Sequence, residues 1–203
     1  MTDPLNIVIA GVGGQGNIVA ARVLAAAAVR EGMFATVGET YGASQRGGSV
    51  TSQVRLSATR EYGPLIPANR GHVVVGFEPS ETARVIPILA NAHTEIIVND
   101  RPVYPVSVLV GDSEYPAVEE LVARMGALVA KVRCIPATEM AKEAGDAKAM
   151  NMVMIGALVG TGRVPVKEET FSTVFEELFQ GKALEVNKKA FRLGMIALGT
   201  HKG

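Results

Sequence analysis

Short apolar runs alternate with amphipathic stretches along the first two thirds of the chain. "LNIVIAG" (5–11) has strand length and ends in glycines, and "NIVAARVLAAAAVREG" (17–32) follows with helix formers and a glycine stop, which predicts strand, tight turn and helix. "FATVGE" (34–39) reads as a second strand and "SVTSQVRLS" (49–57) as a third. Alternation in the third puts Val50, Val54 and Leu56 on one face and Thr51, Gln53 and Arg55 on the other, so one face is wet or functional. "HVVVGFEP" (72–79) and "TEIIVND" (94–100) are short strands flanking a helix over 80–92 that Pro87 interrupts or kinks. "VSVLV" (106–110) reads as a further strand, and an amphipathic helix over 115–126 precedes the strand "KVRCI" (131–135).

This alternation predicts an α/β protein: a three-layer α/β/α arrangement around a mostly parallel, Rossmann-like sheet. From Thr138 the pattern changes to helix alone, in blocks over 138–160, 167–180 and 183–199 separated by Gly160, Gly162, Pro165 and Gly181. About sixty residues of helix bury little surface by themselves. Residues 138–203 are therefore expected to form a helical C-terminal cap within a single domain spanning 1–203.

With 203 residues and 48% hydrophobic content the chain can bury a full core. Its 20 basic and 20 acidic residues cancel, so no overall field attracts nucleic acid or an anionic membrane, and any anion site must be local. Cys134 is the only cysteine, which excludes an internal disulfide and a thiolate-held cluster. No apolar run approaches the roughly eighteen residues of a membrane span, and the apolar N-terminal run is short and lacks a basic leader; a cytoplasmic location is expected.

"GVGGQG" satisfies G-x-G-x-x-G through Gly11, Gly13 and Gly16, between a strand and a helix. That context suits a phosphate cradle, because glycines permit close approach while helix amides and the dipole attract an anion. Glu39, 23 residues past Gly16, lies where a ribose-binding acid would stand. The same glycines could equally serve only the turn. Against a dinucleotide, Glu39 leads straight into "TYGASQRGGSV" and a strand, where a helix is expected. The polar loop and strand face then need covering by a ligand or another chain. Arg46, beside Gly47 and Gly48, offers a guanidinium fork near Arg55 for a carboxylate or phosphate. The alternative is an ordered surface loop with a Glu39–Arg46 pair.

"GVGGQGNIVAARVLAAAA" followed by "GETYGASQRGGSVTSQVRLS" resembles the gamma subunit of the 2-oxoacid:ferredoxin oxidoreductases, of the pyruvate/ketoisovalerate type. The likeness is specific over residues 7–57 and continues in "AMNMVMIGALVG" and "EVNKKAFRLG". It implies a complex that decarboxylates a 2-oxoacid with thiamine diphosphate, passes electrons through iron–sulfur clusters to ferredoxin and transfers the acyl group to coenzyme A. Thiamine diphosphate and clusters are then expected on partners, namely alpha, beta and ferredoxin-like delta subunits, with no nucleic acid and no membrane. The resemblance leaves the 2-oxoacid undetermined. A free-standing nucleotide-binding oxidoreductase and a regulatory or scaffold protein retaining the gamma fold are the other readings.

On this reading Gly13, Gly14, Gln15 and Gly16, with Glu39, Tyr41, Gln45, Arg46, Gly47, Gly48 and Ser49, face the partner subunits near the active-site entrance. Gln15 is expected at an exposed loop tip, and Arg46 or Arg55 is the candidate contact for coenzyme A phosphates or a substrate carboxylate. No residue is assigned a catalytic or metal-binding role. His72, His93 and His201 lack ligand spacing, and no nucleophile elbow or Walker loop occurs. Asn151 and Asn187 sit on apolar helix faces, where buried amides need partners, and are expected to lock the helical segment to the sheet domain through loop carbonyls. Met150, Met152 and Met154 read as core filler.

Overall fold

The structure, a computed structural model, describes residues 2–42 and 48–199. One six-stranded sheet runs through it in the order β2-β3-β1-β4-β5-β6. The strands are β1 (Leu5–Val12), β2 (Phe34–Tyr41), β3 (Ser49–Ser57), β4 (Val73–Gly76), β5 (Glu95–Asn99) and β6 (Lys131–Ile135). β1, β4, β5 and β6 pair in parallel, while β3 is antiparallel to both β1 and β2, so only β3 runs against the rest.

Alternation along β1 sorts the two layers. Leu5, Ile7 and Ile9 face a core built with α1 (Asn17–Arg30) and the later helices, whereas Val8 and Ala10 face α2 (Pro79–Leu89) and α4 (Val118–Gly126). Helices on both faces explain why β1, β4 and β5 read as continuous apolar runs. The later helices are α5 (Ala137–Ala144), a 3₁₀ turn (Ala147–Ala149), α6 (Met150–Gly160), α7 (Glu168–Leu178) and α8 (Gly181–Leu198). The expected continuous helix over 138–160 is broken at Gly145, where φ is +126° and Asp146 caps the 3₁₀ turn through Lys148 N. α6 lies in the same core as α1; Met152 and Met154 are fully buried in it, and α8 crosses α6 at backbone contact. At that crossing an added Cβ on Gly194 would stand 1.9 Å from Val153 O, and one on Gly156 2.0 Å from Phe191 O.

Two expectations are corrected. "VSVLV" is not a strand but a one-turn helix, α3 (Val106–Leu109), with no buried residue. Five apolar residues carry no reliable period, and β6, not this segment, takes the sheet edge beside β5. Nor does the polar face of β3 wait for a ligand or another chain. The chain's own segment after β3 covers it: Gln53 Oε1 accepts from Ile66 N at 2.6 Å, and a Cβ on Gly38 would meet Pro64 O at 2.7 Å.

Candidate functional site

The site lies where β1 hands over to α1. Gly16 caps α1 in the left-handed region, φ 83°, without a side-chain cap. The space a Cβ would fill there belongs to Asn151, whose Nδ2 stands 2.3 Å from that point and donates to Gly16 O at 3.4 Å. Asn151 therefore does tie α6 to the glycine turn, as expected. Asn187 does not; its Nδ2 donates to Ala183 O at 2.8 Å, one turn back in its own helix.

The two glycine-rich loops meet. Gly13 N donates to Gly48 O at 2.9 Å, Gly42 N to Ser49 O at 2.8 Å, and Asn17 Nδ2 to Val50 O at 3.2 Å. Between them and the start of α1 opens a cavity of about 750 Å³, lined by Gly13, Gly14, Asn17, Val19, Tyr41 and Gly42 among others. Asn17 is 3% exposed, and its Oδ1 has no partner among the described residues. The first turn of α1 carries no acidic residue, so nothing on the helix itself offsets the positive end of its dipole. Gly14 points into open space. A second cavity of about 470 Å³ shares Val19 and is edged by Lys148 and Lys182. The positive end of the α1 dipole thus faces the first cavity, whose lining carries no charged side chain, while Lys148, Lys182 and the carboxylate of Asp146 stand around the second.

Gln15 is not at an exposed tip. Its side chain folds back, Oε1 accepting from Val12 N at 2.9 Å and Nε2 donating to Phe77 O at 3.2 Å, so it braces the turn against the end of β4. Loop-tip glycines on both sides hid this in the sequence. Glu39 is not placed for a ribose either: it stands on β2, beyond β3, two strand spacings or roughly 10 Å from β1. It accepts from the Tyr41 hydroxyl, and that bond pushes the Tyr41 pKa up.

Arg55 is also removed from the site. It pairs in register with Asn6, six residues along β3 from Ser49, roughly 20 Å away. There it is consumed: Nε donates to Asn6 Oδ1 at 3.1 Å, and Nη1 to Gly63 O at 2.9 Å and Leu65 O at 3.2 Å. Gln45, Arg46 and Gly47 lie outside the described residues, as does His201, so the Glu39–Arg46 pair does too. His72 accepts from Asn6 N at 2.9 Å and is structural. Among the described residues no three His, Cys, Asp or Glu side chains gather as a metal set, and no helix is long and apolar enough to cross a membrane.

Asn17 was missed by sequence reasoning, as was Glu78, a wholly buried carboxylate at the end of β4. Glu78 accepts from Ser80 Oγ at 2.7 Å, Glu81 N at 2.8 Å, Val103 N at 3.3 Å and the Tyr115 hydroxyl. Its signal was the Glu-Pro-Ser that ends a strand and starts a helix, a capping pattern.

A βα glycine turn bonded to a second glycine loop, in a sheet with one reversed strand beside β1, sets this chain apart from simple dinucleotide folds. Residues 6–197 match the profile of the pyruvate ferredoxin/flavodoxin oxidoreductase family, and the chain belongs to that family. It is 36% identical over 190 residues to the indolepyruvate oxidoreductase subunit IorB of Archaeoglobus fulgidus, covering 94% of this chain and 93% of that one. The IorB subunit of Thermococcus kodakarensis is 39% identical over 193 residues, 95% of each chain. Among solved structures, pyruvate oxidoreductase subunit PORC of Thermotoga maritima superposes with TM-score 0.72 at 23% identity, covering 96% of this chain and 97% of that one. A 2-oxoglutarate:ferredoxin oxidoreductase of Magnetococcus marinus, with 2-oxoglutarate, coenzyme A and succinyl-CoA bound, gives 0.73 at 26% identity; 98% of this chain matches 31% of that one. Within the family, the chain is a gamma subunit of the 2-oxoacid:ferredoxin oxidoreductase class.

Proposed function

We propose that this gamma subunit works in a cytoplasmic complex oxidising an aryl 2-oxoacid of the indolepyruvate kind, and that its α1 cavity receives the phosphates of coenzyme A. The observation that carries the coenzyme A reading is the open cavity at the N-terminus of α1, lined by the first glycine turn with Tyr41, Gly42 and Val50 and left without an acidic side chain in the first helical turn. Diphosphate oxygens suit the free amides there. The choice of 2-oxoacid is supported by identity: 31–39% to indolepyruvate subunits against 26–28% to ketoisovalerate subunits.

Oxidative decarboxylation releases carbon dioxide and two electrons and leaves an acyl group for the coenzyme A thiol. Thiamine diphosphate and iron–sulfur clusters supply that chemistry from partner subunits, with ferredoxin taking the electrons; a single cysteine on this chain fits that division. This chain's own task is to hold and orient coenzyme A. Gln15 and Asn151 keep the turn rigid, and Val12, Ile18 and Val50 give the cavity an apolar wall. A free-standing dinucleotide enzyme is disfavoured by the distance of Glu39 from β1. The complex, assembled with its thiamine-diphosphate-carrying partner, should reduce ferredoxin fastest with indolepyruvate and only when coenzyme A is present. Faster turnover with pyruvate or 2-oxoisovalerate would reject the substrate assignment, and turnover with NAD and no partner would reject the subunit reading.

A further inference from the structure

At the start of β1, at the far end of that strand from the glycine turn and roughly 20 Å from it, Asn6 gathers three basic residues. It is 4% exposed and all its polar atoms are used. Its N donates to His72 Nδ1 at 2.9 Å, its Nδ2 to Arg70 O at 2.8 Å, its Oδ1 accepts from Arg55 Nε at 3.1 Å, and its O accepts from His72 N at 2.9 Å. Asn69, the one non-glycine residue with positive φ among the described residues (57°), turns the chain into Arg70, whose N is held by Pro67 O at 3.1 Å.

These contacts leave donors over and almost nothing else. The bond that fixes His72 in the fold also fixes its tautomer: with Nδ1 accepting, the neutral ring carries its proton on Nε2. Arg55 spends Nε and Nη1 on Asn6, Gly63 O and Leu65 O and lies over the Tyr62 ring at 4.9 Å, so Nη2 is its one spare group. Arg70 is anchored by its backbone alone, and its guanidinium has no acceptor among the described residues. All three residues line one cavity of about 280 Å³ together with Pro4, Asn6 and Pro67. The carboxylate on that lining, Asp3, is turned to the next segment, where it accepts from Thr59 Oγ1 at 3.1 Å beside Arg60.

We propose that this cavity binds a small tetrahedral oxyanion of the inorganic phosphate kind, held by the Arg70 guanidinium, His72 Nε2–H and Arg55 Nη2. Groups that can only donate select an acceptor, and guanidinium charge strengthens the bond. Donors arriving from β3, from the segment before β4 and from the entry to β4 suit an anion with oxygens on every side better than a planar carboxylate. The volume falls just short of the roughly 300–1,000 Å³ of pockets for drug-sized ligands, so the ligand is small. Burial, Arg163 and Arg70 hold the His72 pKa below its ordinary 6.5; Arg163 is itself paired with Glu95, which also binds Arg133. A bound anion offsets those charges and lets the ring take a proton. The site stands apart from the α1 cavity and does not rest on the coenzyme A reading.

The test follows the His72 ring by NMR through a pH series on the full chain, in sulfate and in chloride of equal ionic strength. Sulfate is the tetrahedral probe because its own charge is constant where histidine titrates, and His72→Gln assigns the resonance. Sulfate should raise the His72 pKa toward 6.5 or above. Arg70→Gln, whose lost side chain supports no fold contact, should abolish most of that rise, whereas Arg60→Gln removes an equal charge outside the cavity and should keep it. Calorimetric titration with inorganic phosphate should show one saturable site, weakened roughly tenfold or more in Arg70→Gln by loss of the charge-assisted contact. A His72 pKa that sulfate leaves unmoved overturns the site. An equal rise in Arg70→Gln reduces it to a general salt effect and overturns it as well, and acetate as effective as sulfate rejects the tetrahedral ligand.

Discussion

Val19 offers a perturbation that moves stability and ligand binding in opposite directions. It is the third residue of α1, 40% exposed, and it lines both the 750 Å³ and the 470 Å³ cavities. Val19→Glu places a carboxylate in the first helical turn, where the dipole is otherwise unopposed. That is worth about 0.3–1 kcal/mol to the helix, and glutamate is also a better helix former than valine. For a chain of this size the melting temperature of the isolated subunit should hold or rise by roughly 1–3 °C. The same charge faces an incoming diphosphate. At an effective dielectric near 20 two unit charges 4 Å apart interact by about 4 kcal/mol. At the mouth of an open cavity, with salt present, a net penalty of about 1–2 kcal/mol is expected, or roughly five- to thirtyfold in coenzyme A affinity. Val19→Gln has nearly the same shape without the charge and serves as the control. The assay is the Michaelis constant for coenzyme A in the assembled complex beside thermal melting of the free chain. Equal coenzyme A constants for the Glu and Gln variants would refute the placement of an anion at this helix end.

Gln15→Ala should lower the stability of the isolated chain by about 1–2 kcal/mol in urea unfolding, because it strips Val12 N of its side-chain acceptor and leaves Phe77 O with Asn99 Nδ2 as its one remaining side-chain donor; a loss under 0.3 kcal/mol would return Gln15 to the surface role its sequence context suggests. Gly194→Ala should cost at least roughly 2 kcal/mol by forcing α8 off Val153 O, whereas Gly126→Ala, with open space around it, should be neutral or stabilising by about 0.5 kcal/mol; similar melting shifts for the two would contradict the α6–α8 crossing. Burial, with Arg163 and Arg70 nearby, holds the His72 pKa below its ordinary 6.5. The unfolded chain then binds more protons, so stability should be complete above pH 6.5 and fall as pH drops below it. His72→Asn should flatten that slope in a pH series of melting curves, and an unchanged slope would assign it to other groups.

Much of the fold is written in local pattern. β1, β3 and β6 are found where alternation and apolar runs place them, since a buried parallel strand must be apolar on both faces. The glycine turn opening α1 was equally plain, and so was the absence of a helix after Glu39, which the β2–β3 hairpin now explains. What pattern could not convey is who covers whom. Arg55 looked available because sequence does not say that residues 63 and 65 return over β3 with their carbonyls toward it. Gln15 looked exposed because its partners are Val12 N, three residues away, and Phe77 O, sixty-two residues away, and backbone partners leave no trace in side-chain pattern. Asn17 and Glu78 were overlooked for the complementary reason: each reads as an ordinary helix-start residue, and burial alone gives it significance.

The most direct test of the account is to locate coenzyme A on the assembled complex with a photoreactive analogue carrying its crosslinking group on the adenosine diphosphate end, followed by peptide mapping. The account predicts labelled peptides of this chain spanning residues 11–19 and 38–50, suppressed by excess coenzyme A and reduced in Val19→Glu. Label confined to the partner subunits, with none at the start of α1, would contradict it.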